Sequence, residues 1–179
     1  TARIYLAGAG TQSAGLCMGG GISPSDSNVN EEYDGSSWSS GGNLATARYG
    51  LAGAGTQSAG LCMGGTDVSV ITEEYDGSSW SAGGNLATAR RYLAGAGTQS
   101  AGLCMGGYYA GDSNVTEEYN GTSWSAGGNL ATARTYLAGA GTQSAGLCMG
   151  GWISPSYSNV TVEYDGSSWC RCSILAKDR

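Results

Sequence analysis

The chain contains no histidine, and this limits the chemistry open to its other reactive side chains. Histidine is the commonest general base and metal ligand near neutral pH. Ser-His-Asp and Cys-His catalysis are therefore excluded. No other pairing of a nucleophile with a base stands out, so we expect no catalytic residue, no cofactor and no metal site.

Carboxylates occur in adjacent pairs, Glu31-Glu32, Glu73-Glu74 and Glu117-Glu118, and Val162-Glu163 stands at the corresponding place near the C-terminus. A pair of carboxylates is typical of general acid–base catalysis. Neighbouring residues of a strand point to opposite faces, however, so the two members of a pair cannot act together. We expect the second glutamate of each pair to form an ion pair with an arginine.

Four arginines occupy one recurring position, ahead of four copies of one segment: Arg3, Arg48, Arg90 and Arg134. If the copies fold alike, these side chains lie on one face around a common axis. The structural alternative is that these arginines form ion pairs with the glutamates of neighbouring units.

Four of the six cysteines also share one position: Cys17, Cys62, Cys104 and Cys148. Their spacing is unlike that of zinc sites or small disulfide scaffolds. We expect them to be small buried hydrophobic residues. A ring of four metal ligands would require that these side chains meet on the axis. Cys170 and Cys172, near the C-terminus, remain unassigned.

The segment that carries these cysteines, AGAGTQSAGLCMGG, occurs four times without change, at 7–20, 52–65, 94–107 and 138–151. The copies recur every 42 to 45 residues, which matches the blades of a propeller. A lone blade cannot bury both of its faces. We therefore predict a single domain over residues 1–179, with repeats at about 1–45, 46–87, 88–131 and 132–179.

One repeat, residues 47–86, contains the signals of four antiparallel strands. Residues 47–55 are mostly Ala and Gly and suit the crowded strand nearest the axis. Residues 59–63, 71–75 and 78–81 follow, and Asp76-Gly77 predicts a tight hairpin between the last two. A tyrosine precedes a tryptophan by five residues in every copy, as in Tyr75 and Trp80, and we expect this pair to pack between blades. The fold class predicted is all-β, a four-bladed β-propeller.

The double glycine, tyrosine, tryptophan and leading arginine of each copy (Gly64-Gly65, Tyr75, Trp80 and Arg48) resemble the kelch repeat. Similar repeats occur in uncharacterised bacterial, phage and environmental proteins. The resemblance implies a propeller with four-stranded blades. It also implies a second role for Arg3, Arg48, Arg90 and Arg134, because arginines at this position of kelch substrate adaptors line a pocket that grips acidic groups.

Kelch propellers usually have six or seven blades, whereas this chain has four repeats. Leu175, Ala176 and Arg179 keep the register of Leu86, Ala87 and Arg90. The end of the chain therefore resembles the connector that leads into an inner strand. We expect it to reach the segment Thr1-Ala2-Arg3, so that the ring closes at four blades. The alternatives are that the four repeats are part of something larger or that two chains combine.

The repeats differ mainly in the loops between their second and third strands, at 21–27, 66–70, 108–113 and 152–158. Four aromatic residues stand in them: Tyr108, Tyr109, Trp152 and Tyr157. These loops should share the end of the propeller with the four arginines. Aromatic side chains on loops above a rigid scaffold suit sugar or peptide binding. Unconstrained divergence after duplication is the alternative.

The net charge of −6 disfavours nucleic-acid binding, and no apolar run is long enough to cross a bilayer. We expect a non-enzymatic binding module for a glycan or a protein, with the four arginines and the four loop aromatics as ligand-binding residues. The alternative is a structural or spacer component of a larger surface or phage virion assembly, with self-association. An extracellular or virion-surface location fits the binding module and the structural component alike. An enzyme is the third and least favoured function.

Overall fold

A computed structural model describes residues 2–171 of the chain. Each repeat folds into a set of short strands. The first contains β1 (Ala7–Thr11), β2 (Ala14–Met18), β3 (Gly21–Ile22), β4 (Ser25–Asp26), β5 (Asn30–Tyr33) and β6 (Trp38–Ser40). The second contains β7 (Ala52–Thr56), β8 (Ala59–Met63), β9 (Thr72–Tyr75) and β10 (Trp80–Ala82). The third contains β11 (Ala94–Thr98), β12 (Ala101–Met105), β13 (Thr116–Tyr119) and β14 (Trp124–Ala126). The fourth contains β15 (Ala138–Thr142), β16 (Ala145–Met149), β17 (Trp152–Ile153), β18 (Ser156–Tyr157), β19 (Thr161–Tyr164) and β20 (Trp169–Arg171).

The strands form four antiparallel four-stranded sheets, one per repeat, arranged as a four-bladed β-propeller. The predicted fold class is confirmed. The pairs β3–β4 and β17–β18 are separate small hairpins inside two of the variable loops. Within residues 2–171 there is no helix, and hence none of the length and hydropathy needed to span a membrane.

The inner strand of the second repeat begins later than its composition predicts, at Ala52 rather than at Ala47. Residues before it turn sharply, and Gly50 has a left-handed φ of 65°. Such a φ is incompatible with a continuous strand. The third and fourth strands lie within one or two residues of the predicted ranges.

The inner strands β1, β7, β11 and β15 consist of Ala and Gly because their backbones crowd together at the axis. A Cβ atom on Gly53 would lie 2.7 Å from the carbonyl oxygen of Gly8 in the preceding blade. The corresponding distance is 2.6 Å from Gly95 to Gly53 and from Gly139 to Gly95. A side chain there would overlap the neighbouring strand, so glycine sets the spacing of the blades.

The core consists of layers between blades. The Leu and Met side chains of one second strand pack on the Cys and Tyr side chains of the next blade. One such layer contains Leu61, Met63, Cys104 and Tyr119, and Trp124 packs against it. Equivalent layers join the first blade to the second and the third to the fourth. The predicted packing of Tyr and Trp between blades is confirmed at these three interfaces.

Hydrogen bonds reinforce the same three interfaces. The hydroxyl of Tyr119 donates to Glu74 at 2.5 Å and that of Tyr164 donates to Glu118 at 2.6 Å. Tyr75 donates to Glu32 in the same way. The second glutamate of each pair therefore binds a tyrosine of the next blade, and the prediction that it pairs with an arginine is wrong for these three residues.

Within residues 2–171, no neighbouring blade covers the faces of the first and fourth blades that point toward each other. Strands β1 and β7, β7 and β11, and β11 and β15 are neighbours, but β15 and β1 make no comparable contact within residues 2–171. Leu6 is 40% exposed, whereas its counterpart Leu51 is 5% exposed. Leu147 is half-buried, whereas Leu103 is fully buried. We call this place the seam. The predicted closure by Leu175, Ala176 and Arg179 lies outside the described residues.

Candidate functional site

The variable loops and the segments that precede the inner strands lie together at one end of the propeller, as predicted. Isolated β-bridges join Ile4 to Gly21, Arg91 to Tyr108, and Thr135 to Trp152. In the second repeat the backbone N–H of Tyr49 donates to Thr66 Oγ1 at 2.7 Å. We call this end the mouth. It is formed by the loops 21–27, 66–70, 108–113 and 152–158 and by the residues next to the four repeated arginines.

The repeated arginines do not reach the surface of the mouth. The Arg48 guanidinium donates to the carbonyl oxygens of Gly64 (2.6 Å) and Ile71 (3.0 Å), to Cys62 Sγ (3.2 Å) and to Glu73 (2.7 Å). Arg90 repeats this pattern, including an ion pair of 2.8 Å with Glu117. Arg3 pairs with Glu31. The side chains are buried within their own repeats, which matches a structural role, except that the ion pairs form within blades and not between them.

Arg134 differs from the other three arginines because Val162 replaces the first glutamate of its repeat. Its guanidinium donates to the carbonyl oxygens of Gly150 (3.1 Å) and Val160 (3.2 Å). It forms no ion pair within residues 2–171, although only 3% of the residue is exposed. The Arg134 charge is therefore not exposed at the mouth.

The repeated cysteines stay apart, each beside the arginine of its own repeat. Cys62 and Cys104 accept hydrogen bonds from Arg48 and Arg90 at 3.2 Å and 3.3 Å. Burial raises the pKa of the Cys62 thiol to about 12 and those of Cys104 and Cys148 to about 11. These thiols are protonated near neutral pH. Within residues 2–171 no three His, Cys, Asp or Glu side chains are placed to hold a metal ion.

Tyrosines converge on the axis at the mouth, a feature that the sequence reasoning missed. Tyr5, Tyr92 and Tyr136 share one repeat position, and all three have φ between 53° and 56°. Their ring centroids lie 5.5 Å (Tyr5–Tyr92), 6.4 Å (Tyr5–Tyr136) and 4.3 Å (Tyr92–Tyr136) apart. Such left-handed conformations are uncommon for bulky residues and concentrate at functional sites. The recurrence of Tyr-Leu-Ala in three repeats was the available signal.

Gly50 stands at the same position in the second repeat and makes room for its neighbour. A Cβ atom there would lie 2.8 Å from the ring of Tyr92. Tyr49, one residue earlier, places its ring 6.1 Å from Tyr5 and 6.0 Å from Tyr92. Burial, and then hydrogen bonding with Tyr49 and Tyr136, raise the pKa of Tyr92 well above its ordinary value. Tyr92 is therefore uncharged near neutral pH, and the cluster offers both ring faces and hydroxyl groups.

The predicted loop aromatics extend this cluster. Trp152 and Tyr157 face each other across the β17–β18 hairpin, with ring centroids 4.8 Å apart and planes at 73°. Together with Tyr5 and Tyr136 they line a cavity of about 390 Å³. Tyr157 is 86% exposed. Tyr109 is also exposed, but it lines none of the mouth cavities described here, whereas Tyr108 lines a second one.

A comparison with models of known protein families and with curated proteins found no match for this chain. The mouth must therefore be interpreted from its chemistry. It presents aromatic rings and hydroxyl groups in shallow cavities, with few charged side chains.

Proposed function

We propose that this chain is a non-catalytic, kelch-like binding module and that its mouth binds a neutral glycan. The observation that carries this proposal is the 390 Å³ cavity lined by four aromatic side chains, Tyr5, Tyr136, Trp152 and Tyr157. Tyr5 comes from the first blade and the other three come from the fourth, and the ring centroids of Tyr5 and Tyr136 lie 6.4 Å apart. Exposed apolar patches of this kind mark binding sites on otherwise polar surfaces.

The chemistry of the cavity favours a sugar over an anion or a nucleic acid. A pyranose ring has apolar C–H faces that stack on aromatic rings and a rim of hydroxyl groups that meet polar tips such as those of tyrosine. The net charge of −6 opposes a polyanion. The buried arginines supply no exposed positive surface.

A glycan array with the purified chain tests this proposal. We expect binding to neutral oligosaccharides, and we expect Trp152→Ala and Tyr157→Ala each to weaken it by about tenfold or more, as for aromatic anchors in other binding sites. Trp38→Ala is the matched control, because Trp38 is 53% exposed and lies on the outer strand β6, away from the mouth. Thermal melting confirms that each variant is folded.

A folded protein that binds no glycan on the array would contradict the proposal. Binding of acidic glycans alone would also contradict it. Capture of a peptide that competes at Trp152 would assign the mouth to a protein ligand instead.

A second function, as a self-associating component of a larger assembly, is favoured by the seam. Leu147 and Met149 lie on the uncovered face of the fourth blade. In the other blades, the leucine and methionine at these positions pack against the next blade. Cys17 and Tyr33 lie on the uncovered face of the first blade. In the other blades, the cysteine and tyrosine at these positions are covered by the leucine and methionine of the preceding blade. We propose that a second copy docks head-to-tail through these faces, as a heterologous interface does.

Light scattering coupled to size-exclusion chromatography tests this second function. We expect concentration-dependent oligomers that Leu147→Glu abolishes and that Trp152→Ala leaves intact. A monomer at every concentration would contradict it and would leave the glycan proposal untouched.

A further inference from the structure

A second cavity of the mouth lies between the third and fourth blades and differs in chemistry from the first. Its volume is about 180 Å³. This is less than half the volume of the first cavity, and we expect it to take one sugar ring and not an oligosaccharide. The rings of Tyr92, Tyr108, Tyr136 and Trp152 form its apolar part. Arg91, Asp112 and Thr135 form its polar part.

Thr135, one of the residues that line this cavity, has a buried side-chain hydroxyl without a partner. Thr135 is 3% exposed, and its Oγ1 makes no hydrogen bond. The backbone of Thr135 is occupied, because its N–H donates to the carbonyl oxygen of Trp152 (3.0 Å) and its own carbonyl accepts from the N–H of Trp152 (2.7 Å). Buried polar groups normally have partners, so an unpartnered hydroxyl on a residue that lines a cavity points to a ligand.

Arg91 adds a second unpartnered polar atom. Its guanidinium carbon lies 5.2 Å from the ring centroid of Tyr92 and 5.5 Å from that of Tyr108, so the two rings hold the side chain in place. Its Nε is buried and makes no hydrogen bond. One terminal nitrogen is 3.5 Å from the hydroxyl of Tyr49. The three mouth cavities that Tyr5 lines contain no such unpartnered atom within residues 2–171.

Asp112 supplies an acceptor at the rim of the cavity. Its Oδ2 accepts a hydrogen bond from the backbone N–H of Ser154 at 3.1 Å. This bond joins the variable loop of the third repeat to that of the fourth, so the carboxylate has a defined position. Arg91 and Asp112 form no ion pair with each other within residues 2–171.

We propose that this cavity is the specificity subsite of the mouth and takes one neutral hexose residue. The inference rests on the proposed function. Each sugar hydroxyl both donates and accepts hydrogen bonds, so adjacent hydroxyls satisfy Thr135 Oγ1, the Arg91 Nε–H and the Asp112 carboxylate together. The aromatic rings contact the C–H face of the sugar. A carboxylated sugar is disfavoured because Asp112 would repel it, although Arg91 alone would attract it.

Calorimetry with methyl glycosides of neutral hexoses tests the subsite, with methyl glucuronide as the charged comparison. Thr135→Val keeps the shape of the side chain and removes the hydroxyl. We expect it to weaken binding of the preferred glycoside by about tenfold, the effect of one well-made hydrogen bond. Because it also removes an unpartnered buried group, the melting temperature of the free protein should stay the same or rise. Asp112→Asn, in an accessible loop, provides a second variant with the same expected loss.

Deoxy glycosides identify the hydroxyl that Thr135 contacts. One deoxy sugar should bind the unmodified chain as weakly as the parent glycoside binds Thr135→Val, and the variant should not distinguish the two sugars. If neither Thr135→Val nor Asp112→Asn changes glycoside affinity while Tyr157→Ala abolishes array binding, the subsite is wrong and the proposed function stands. If methyl glucuronide binds more tightly than the neutral glycosides, the neutral-sugar assignment is overturned. If no glycan binds at all, the proposed function fails and the subsite fails with it.

Discussion

At the scale of single residues, the position of each glutamate in the sheet decides its partner. Glu73 lies directly opposite Cys62 in the pairing of β8 with β9, so an arginine that reaches the cysteine also reaches this carboxylate. Glu74 lies opposite Leu61, on the face that meets the next blade. Adjacent residues point to opposite faces of the sheet, so one glutamate neutralises a buried arginine and the other binds an interblade tyrosine.

Arg134 is the exception, and it provides a stability prediction. Val162→Glu restores the missing carboxylate opposite Cys148. We expect the free energy of unfolding to rise by about 1.5–3 kcal/mol, the range for hydrogen bonds to charged groups. The reverse change in the third repeat, Glu117→Val, leaves Arg90 buried without its carboxylate and should cost about 3–5 kcal/mol. Urea unfolding of both variants measures these changes.

The pair Val162→Glu and Arg134→Met serves as the control, because the new glutamate then has no arginine to meet. We expect this double variant to be less stable than Val162→Glu. A stabilisation by Val162→Glu that persists in the double variant would mean that the ion pair is not its cause.

At the scale of elements, the inner strands give a test in which the sequence is constant and only the surroundings differ. Gly95→Ala places a Cβ atom 2.6 Å from the Gly53 carbonyl oxygen, and we expect a loss of about 1–3 kcal/mol from overpacking. Gly8 occupies the same position in β1, and the nearest atom to its Cβ would be the Leu16 carbonyl oxygen of its own blade at 3.6 Å. Gly8→Ala should be neutral or stabilising by about 0.4–1 kcal/mol. Chemical denaturation at low protein concentration measures the free energy of unfolding of the two glycine variants.

Equal losses from the two glycine variants would mean that the seam is closed in solution. If Gly8→Ala destabilises the protein only at high protein concentration, this would instead support docking of a second copy at β1.

At the scale of the whole molecule, tyrosine hydroxyls join the second, third and fourth blades to the blade before each, and their ionisation predicts an alkaline loss of stability. Burial, and then the bond to Glu118, raise the pKa of Tyr164 to about 12; the same causes, with Glu32 and Glu74 as partners, raise the pKa of Tyr75 and Tyr119. A folded pKa above the unfolded value of about 10 means that the stabilisation is complete below pH 10. It is lost as pH rises through about 12. Urea unfolding between pH 8 and 12 should show this decline.

Tyr164→Phe should reduce the alkaline decline, because it removes one of the ionising hydroxyls. Tyr33→Phe is the matched control: Tyr33 holds the same repeat position in the first blade, but within residues 2–171 its hydroxyl makes no interblade hydrogen bond. The bond that its backbone carbonyl accepts from Gln57 of the second blade is kept in this variant. A decline that is unchanged in Tyr164→Phe would assign the alkaline transition to other groups.

The blade count, the strand order, the turns and the burial of Cys62, Cys104 and Cys148 could be predicted from the sequence, whereas Cys17 is only partly buried. Each depends on a local pattern that is repeated four times, such as the Asp76-Gly77 hairpin or the alternation from Ala59 to Met63. The location of the variable loops beside the arginines followed from strand direction alone. The loop aromatics Trp152 and Tyr157 were likewise found because they interrupt an otherwise constant repeat.

The convergence of Tyr5, Tyr92 and Tyr136, the partner of each glutamate and the unpartnered hydroxyl of Thr135 required the tertiary structure. So did the seam, because Leu103 and Leu147 lie in identical sequences and only their neighbours differ. Local sequence fixes backbone preference and the face on which a side chain lies, and these are the same in every copy. Which surface then covers that face depends on contacts between segments more than forty residues apart, and in a chain of identical repeats only the tertiary structure distinguishes them.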